Sequence, residues 1–264
     1  MRLMKRRNFV IHTPEEIARI REAAHVTALA REEIAALAHP GMTTLELDEL
    51  AGAVIRATGG IPTFLNYNGF PRNICISVND VVVHGIASDK CVLKEGDLVS
   101  VDVGVTLNGG IGDTAKTVLL GNKPTTKDIE RLLAGTQEAL EAGIAAAHPG
   151  GHVGDISRAV AEVANRYKLG IVRDLVGHGC GTRLHEPPEV PNFVSTSEGP
   201  VLAPGMVLCI EPMLNLGTGR VYVEKDQWTV HTADGLPSAH FEHMILITET
   251  HTEVLVKSSS RAGL

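Results

Sequence analysis

The chain has 264 residues, of which 44% are hydrophobic and 21% charged, which suits one large packed domain. Its formal net charge is −7 with no long basic run, which argues against a nucleic-acid-binding surface. No apolar run reaches the roughly 18 residues of a transmembrane helix, and Cys75, Cys91, Cys180 and Cys209 form no CxxC pair, as expected of reduced thiols in the cytoplasm.

Residues 1–12 read as a basic tail. Met1-Arg2-Leu3-Met4-Lys5-Arg6-Arg7 looks like the start of a signal peptide, but Pro14, Glu15, Glu16, Arg19 and Arg21 follow in place of an apolar stretch. Thr13-Pro14-Glu15-Glu16 is a capping box with proline at the first helical position, and it predicts a helix to about Leu37, closed by Pro40-Gly41. Thr43-Thr44-Leu45-Glu46 opens a second helix with Leu47, Leu50, Ala51 and Val54 on its apolar face. Strands are predicted at Asn73–Val78, Val81–Ile86, Asp97–Val105 and Ile111–Leu120. Leu107-Asn108-Gly109-Gly110 joins the last two as an Asn-Gly hairpin.

The plan then repeats. One helix carries Ile129, Leu132, Leu133 and Leu140 and ends at Ala147-His148-Pro149-Gly150. Another carries Ile156, Ala159, Val160 and Val163. Ala38-His39-Pro40-Gly41 precedes its counterpart by 109 residues, and the second helix maps onto the fourth at the same offset. Strands follow at Ile171–Leu175, Met206–Pro212, Gly219–Gln227, Trp228–Thr232 and Ala239–Thr248. The expected fold is α+β, with two pseudo-symmetric halves sharing a curved antiparallel sheet, helices on one face and a cleft on the other. No Ser- or Pro-rich linker divides the chain. One domain over 13–256 is expected, with halves of about 13–121 and 122–256 and a tail at 257–264.

Chemistry concentrates in Asp102, Asp113, His178, Glu211 and Glu242. Four carboxylates and an imidazole are a ligand mix for two divalent metals sharing a water, about 3.5–4 Å apart. In the hairpin, residue 102 should pair with 115 and residue 104 with 113. Asp102 and Asp113 then share a face as diagonal neighbours at roughly 7–8 Å. On a solvent face they would be ordinary, but Leu98-Val99-Ser100-Val101-Asp102-Val103 is apolar, and a carboxylate there needs a partner. His178 sits in Val176-Gly177-His178-Gly179-Cys180-Gly181, which alone could be a polar loop. Cys180 reads as a small buried residue, with a thiolate role as the alternative. Glu211 ends the apolar run Met206–Ile210, and Glu242 interrupts another. His84 closes Val81-Val82-Val83, at a strand end or a cleft rim. There is no GxGxxG, P-loop, GxSxG or HExxH motif.

Read together, these segments resemble the type I, bacterial methionine aminopeptidases. The matching stretches, in family order, are Asn73-Ile74-Cys75-Ile76-Ser77-Val78-Asn79, Val83-His84-Gly85-Ile86, Val101-Asp102-Val103, Gly112-Asp113-Thr114, Gly177-His178-Gly179, His185-Glu186, Ile210-Glu211-Pro212-Met213 and Phe241-Glu242-His243. The resemblance runs from about Thr13 to Val256 and implies a pita-bread fold. It implies two divalent metal ions, drawn from Co, Mn, Fe, Zn or Ni. Asp102 would chelate one, Asp113 and Glu242 would bridge both, and His178 and Glu211 would bind the other. His84 and His185 would contact substrate, and Tyr67, Phe70, Cys75, Leu184 and Trp228 would wall the side-chain pocket. A monomer acting on nascent-protein N-termini is implied, with the ribosome nearby and no nucleic-acid or membrane binding.

The chain departs from the family pattern at three places. Leu184 stands where an aromatic is usual, Gln227 where glycine precedes the pocket tryptophan, and Leu175 where tyrosine is frequent. These touch the pocket and leave the ligand set whole. Three rival readings fare worse. Xaa-Pro peptidases of this fold carry an added N-terminal domain, inactive binding relatives lose ligands, and mononuclear oxygenases want two histidines and one carboxylate.

Overall fold

The computed structural model describes residues 9–122 and 125–257. Residues 1–8 of the basic tail and 258–264 of the C-terminal tail lie outside the described residues. The first half comprises α1 (Pro14–Leu37), α2 (Thr44–Ala57), β1 (Ile61–Pro62), β2 (Cys75–Val78), β3 (Val81–Val83), β4 (Leu98–Leu107) and β5 (Gly110–Leu119). The second comprises α3 (Lys127–Ala146), α4 (Val153–Arg166), β6 (Gly170–Ile171), β7 (Gly177–Gly179), β8 (Glu186–Val190), β9 (Val207–Ile210), β10 (Met213–Asn215), β11 (Val221–Val223), β12 (Val230–Thr232), β13 (Ser238–His240), β14 (His243–Ile247) and β15 (Thr252–Val254).

Local chemistry sets the helix starts. Thr13 caps α1 by accepting from the Glu16 N–H at 3.2 Å, and Glu16 returns a bond to the Thr13 N–H at 2.8 Å. Thr43 and Glu46 repeat the arrangement at α2. The buried stripe of α1 is mostly alanine (Ala23, Ala24, Ala28), which lets the helix lie close against the β4–β5 hairpin. Gly112 makes the closest approach. A Cβ there would stand 2.2 Å from Thr27 Oγ1 and 2.7 Å from the Ala23 carbonyl oxygen. Gly112→Ala should therefore destabilise the protein by about 3 kcal/mol through overpacking, read as a lower urea midpoint at unchanged slope.

The α2 face differs from the expected one. Leu50 is 41% exposed, and the buried line is Leu47, Ala51 and Ile55. Thr44, Asp48 and Gly52 are buried beside that line, and Val54 packs at its margin, so the inward face is rotated away from Leu50.

The offset of 109 seen in the sequence has structural content. α2 and α4 are both 14 residues long. Gly41 N–H donates to the Leu93 carbonyl, and Gly150 N–H donates to Leu202 at the same offset. The bridges Thr43–Val92 and His152–Val201 are related in the same way. β4 and β9 also begin one offset apart, at Leu98 and Val207.

All the pairings are antiparallel, and they divide into four ladders: β1-β4-β2 with β5 on β4, β13-β10-β6, β11-β12-β3, and β15-β14-β9-β7-β8. Hydrogen bonds join the halves where β5 runs beside β13 and β14. Thr114 Oγ1 donates to the Glu242 carbonyl at 2.7 Å, and the Glu242 N–H donates to Ala115 at 3.0 Å. Thr117 Oγ1 donates to the His240 carbonyl and accepts from the His240 N–H. This seam splits the predicted strand Ala239–Thr248 in two, because Glu242 spends its N–H across the seam. The predicted Ile171–Leu175 shortens to β6 and Gly219–Gln227 to β11, while β1, β7, β8, β10 and β15 were not foreseen.

Candidate metal centre

The hairpin register is as the sequence indicated: Asp102 pairs with Ala115, and Gly104 with Asp113. Asp102 also faces Cys75 across β2. In the second half, β7 presents His178, the end of β9 presents Glu211, and the junction of β13 and β14 presents Glu242. Gly177 and Gly179 let β7 come close to its neighbours. A Cβ on Gly177 would meet the Cys209 carbonyl at 2.4 Å, which is why this short strand is built on glycine.

These residues converge on a cavity of ≈ 570 Å³. Each candidate ligand lines it, as do His84, His185, Tyr67, Phe70, Cys75, Leu184 and Trp228. Leu175 lies in the wall, and Gln227 does not line it. Gln227 holds φ at 66° in the turn before Trp228, a left-handed conformation that glycine adopts freely and glutamine only at a cost of about 1 kcal/mol.

The floor is a concentration of buried negative groups. Asp113 is 3% exposed and Glu242 2%. Asp102 Oδ1, Asp113 Oδ1 and Glu242 Oε1 are buried with no hydrogen-bond partner. No Lys or Arg lines the cavity among the described residues. Burial pushes Asp102 up to about 7, with Glu211 adding to the rise and His240 opposing it. Burial pushes Glu211 up to about 8. Asp113 and Glu242 lie well above the usual carboxylate range, through burial first and neighbouring carboxylates next. Unpaired buried carboxylates in this number call for a cation.

The imidazole beside them turns an unprotonated nitrogen toward the carboxylates. His178 Nδ1–H donates to the Gly179 carbonyl at 2.9 Å, which leaves the Nε2 lone pair 3.3 Å from Glu211 Oε1 and 3.8 Å from Asp113 Oδ2. Burial lowers its pKa to about 3, so the ring is neutral. Ligand atoms of Asp113, His178, Glu242 and Cys209 all lie within 4.8 Å of one another. The donor set suits a divalent cation.

The cavity rim carries the other two histidines. His84 ends β3 with φ 58°, and burial lowers its pKa to about 4. The His185 ring packs edge-on to His178 at 4.3 Å between centroids, and its Nδ1 bonds the Tyr67 hydroxyl at 2.7 Å. Glu186 braces this loop. Its Oε1 accepts from the Thr182 and Arg183 N–H groups, and its Oε2 lies 3.2 Å from His12 Nε2. Phe70 and His84 both pack edge-on to Trp228.

Two residues beside the centre escaped the sequence reading. Cys209 lies among the ligand atoms. His240 lines the cavity, is 1% exposed, and brings Nε2 to 3.5 Å from Glu211 Oε2. The 109-residue offset would have found His240 only with the strand register in hand.

The sequence pattern of metallopeptidase family M24 matches residues 18–249. The chain is 44% identical to methionine aminopeptidase 1 of Bacillus subtilis, over 94% of this chain and 99% of that one. It is 43% identical to methionine aminopeptidase 1 of Mycobacterium tuberculosis, over 96% and 97%. Among solved structures, methionine aminopeptidase from Thermotoga maritima superposes with a TM-score of 0.91 at 40% identity, covering 95% of this chain and all of that one. Prolidase from Pyrococcus furiosus superposes at 0.74 with 25% identity, over 95% of this chain and 66% of the other.

Proposed function

The chain belongs to metallopeptidase family M24, among the type I methionine aminopeptidases of pita-bread fold, and we propose that it removes the N-terminal methionine of nascent proteins whose second residue is small. The reaction is a metal-dependent hydrolysis. Asp102, Asp113, His178, Glu211 and Glu242 are the residues that would hold two divalent cations (Co, Mn, Fe, Zn or Ni), with Asp113 and Glu242 serving both. When bound, these cations acidify a water and polarise the scissile carbonyl.

The chain's own groups do the rest. Glu211 takes the proton of the attacking water and delivers it to the leaving amine. The Tyr67 hydroxyl, donating to His185 Nδ1, leaves Nε2–H to donate to the carbonyl oxygen as negative charge develops there. Neutral His84 faces the scissile amide nitrogen. Tyr67, Phe70, Cys75, Leu184 and Trp228 enclose the unbranched methionine side chain. The encounter takes place at the ribosome in the cytoplasm, with the enzyme a monomer. No helix among the described residues is long and apolar enough to cross a membrane.

The observation that carries this reading is the convergence of four carboxylates, Asp113 and Glu242 buried and Asp102 and Glu211 half-buried, unmatched by any Lys or Arg among the described residues, at the floor of a cavity walled by apolar side chains. The test uses protein stripped of metal and reconstituted with Mn or Co. It should release Met from Met-Ala-Ser and leave Met-Lys-Ser and Ala-Pro-Phe intact. Equal cleavage of Ala- or Leu-initiated peptides would remove the claim of methionine selectivity. His84→Ala should lower kcat by about 10²-fold at normal metal content, and loss of metal in that variant would make His84 a ligand instead.

A further inference from the structure

We propose that His240 is a sixth metal-ligating residue, one that gives the cation beside Asp102 an imidazole donor. The proposal rests on the two-metal reading above. It begins with the internal repeat. Asp102 and Glu211 stand one 109-residue offset apart on the equivalent strands β4 and β9. Gly104 pairs with Asp113 in the first half, and Met213, one offset on from Gly104, pairs with His240 in the second. His240 therefore holds in its half the place that Asp113 holds in the other. The two halves offer matched pairs to the centre: Asp102 with Glu211, and Asp113 with His240.

The hydrogen-bonding state of the ring supports the assignment independently. His240 is 1% exposed, and both ring nitrogens are buried without a hydrogen-bond partner. A neutral imidazole has one donor and one acceptor nitrogen. Nε2 faces Glu211 Oε2 at 3.5 Å with no hydrogen bond between them. With Nε2 as the acceptor, ionised Glu211 leaves its lone pair unsatisfied, because an ionised carboxylate only accepts. A cation is the partner that satisfies it.

The distances fit as well. Donor atoms about 2.1 Å from one cation stand roughly 3.0–3.5 Å apart along an edge of its coordination shell. Glu211 has such a separation on each side: Oε1 is 3.3 Å from His178 Nε2, and Oε2 is 3.5 Å from His240 Nε2. The His240 backbone is fixed by two hydrogen bonds to Thr117 Oγ1 and by its pairing with Met213. The ring is thus delivered to the centre by the seam itself.

The experiment titrates metal-stripped wild type, His240→Gln and His240→Ala with Co²⁺. It reads stoichiometry, affinity and the paramagnetically shifted imidazole N–H resonances of the loaded proteins. Wild type should bind two equivalents and show two ligating imidazoles. Both variants should weaken one equivalent at least about 10-fold and lose one imidazole resonance. Wild type with two equivalents and a single ligating imidazole overturns the proposal, and does so even where a variant fails to fold. Wild-type affinity retained in His240→Gln also overturns it, because the amide would then be replacing a hydrogen bond to Glu211. Failure of wild type to bind Co²⁺ at all would instead remove the metal reading beneath it.

Discussion

Asp113→Ala loses at least ~10³-fold in turnover of Met-Ala-Ser, equivalent to about 4 kcal/mol of transition-state stabilisation, while the chain stays folded. The carboxylate removed is 3% exposed, has an unpartnered Oδ1, and sits 3.8 Å from the lone-pair nitrogen of His178. Ionising it in the metal-free protein is costly, through burial first and then crowding by Glu242, Asp102 and Glu211. Truncation therefore removes that cost together with the proposed shared ligand. The metal-free variant should melt no lower than metal-free wild type at pH 8. Three readings check this together: kcat, metal per chain by atomic emission, and Tm. An active variant with a full complement of metal would sink the assignment of Asp113 as a shared ligand.

The second large effect is a reversal of pH dependence on metal removal. Asp102 at about 7 and Glu211 at about 8 hold their protons far more tightly folded than unfolded, and Asp113 and Glu242 are raised in the same direction. Stability from a raised carboxyl is complete below about pH 4 and is lost as pH rises through its folded value. The buried histidines oppose this at lower pH. His84 at about 4 and His178 at about 3 contribute stability that is present above about 6.5 and lost as pH falls. Above about pH 6.5 the histidine contribution is flat, so metal-free protein should lose several kcal/mol between about pH 6.5 and 8.5. Metal-loaded protein should hold its stability over that range, since cation binding favours the deprotonated ligands. Thermal melts with and without chelator decide it. A metal-free Tm that rises from pH 7 to 8.5 would mean these carboxyls are not protonated in the folded state.

What could be read from the sequence divides along the range of the interactions involved. The register of the β4–β5 hairpin was legible, because Asn108-Gly109 fixes the turn and the turn fixes the pairing of Asp102 and Asp113, while the strands themselves run closer to the turn than predicted. The starts of α1 and α2 were equally legible from their capping boxes. β7 was not, since Gly-His-Gly has no strand signature and pairs only because β8 and β9 flank it. β8 carries Pro187 and Pro188, which read as a break. Glu242 was found as a charge in an apolar run, but the interruption of its strand belongs to the seam. His240 stayed hidden because its meaning depends on pairing with Met213, and no local pattern announces that register.

The seam also determines how the centre responds to motion. Asp102 and Asp113 come from one side of it, and His178, Glu211 and Glu242 from the other, so neither half completes the site alone. Whatever free energy a cation gains by binding is withdrawn when the halves part, and the same amount must then be supplied to part them. Affinity for the cation and resistance of the Thr114–Glu242 and Thr117–His240 bonds to opening are one quantity approached from two ends. Amide exchange at Glu242 and His240, whose N–H groups donate across the seam, should slow in step with cation occupancy, and a substitution that loosens those bonds should weaken cation binding without touching a ligand.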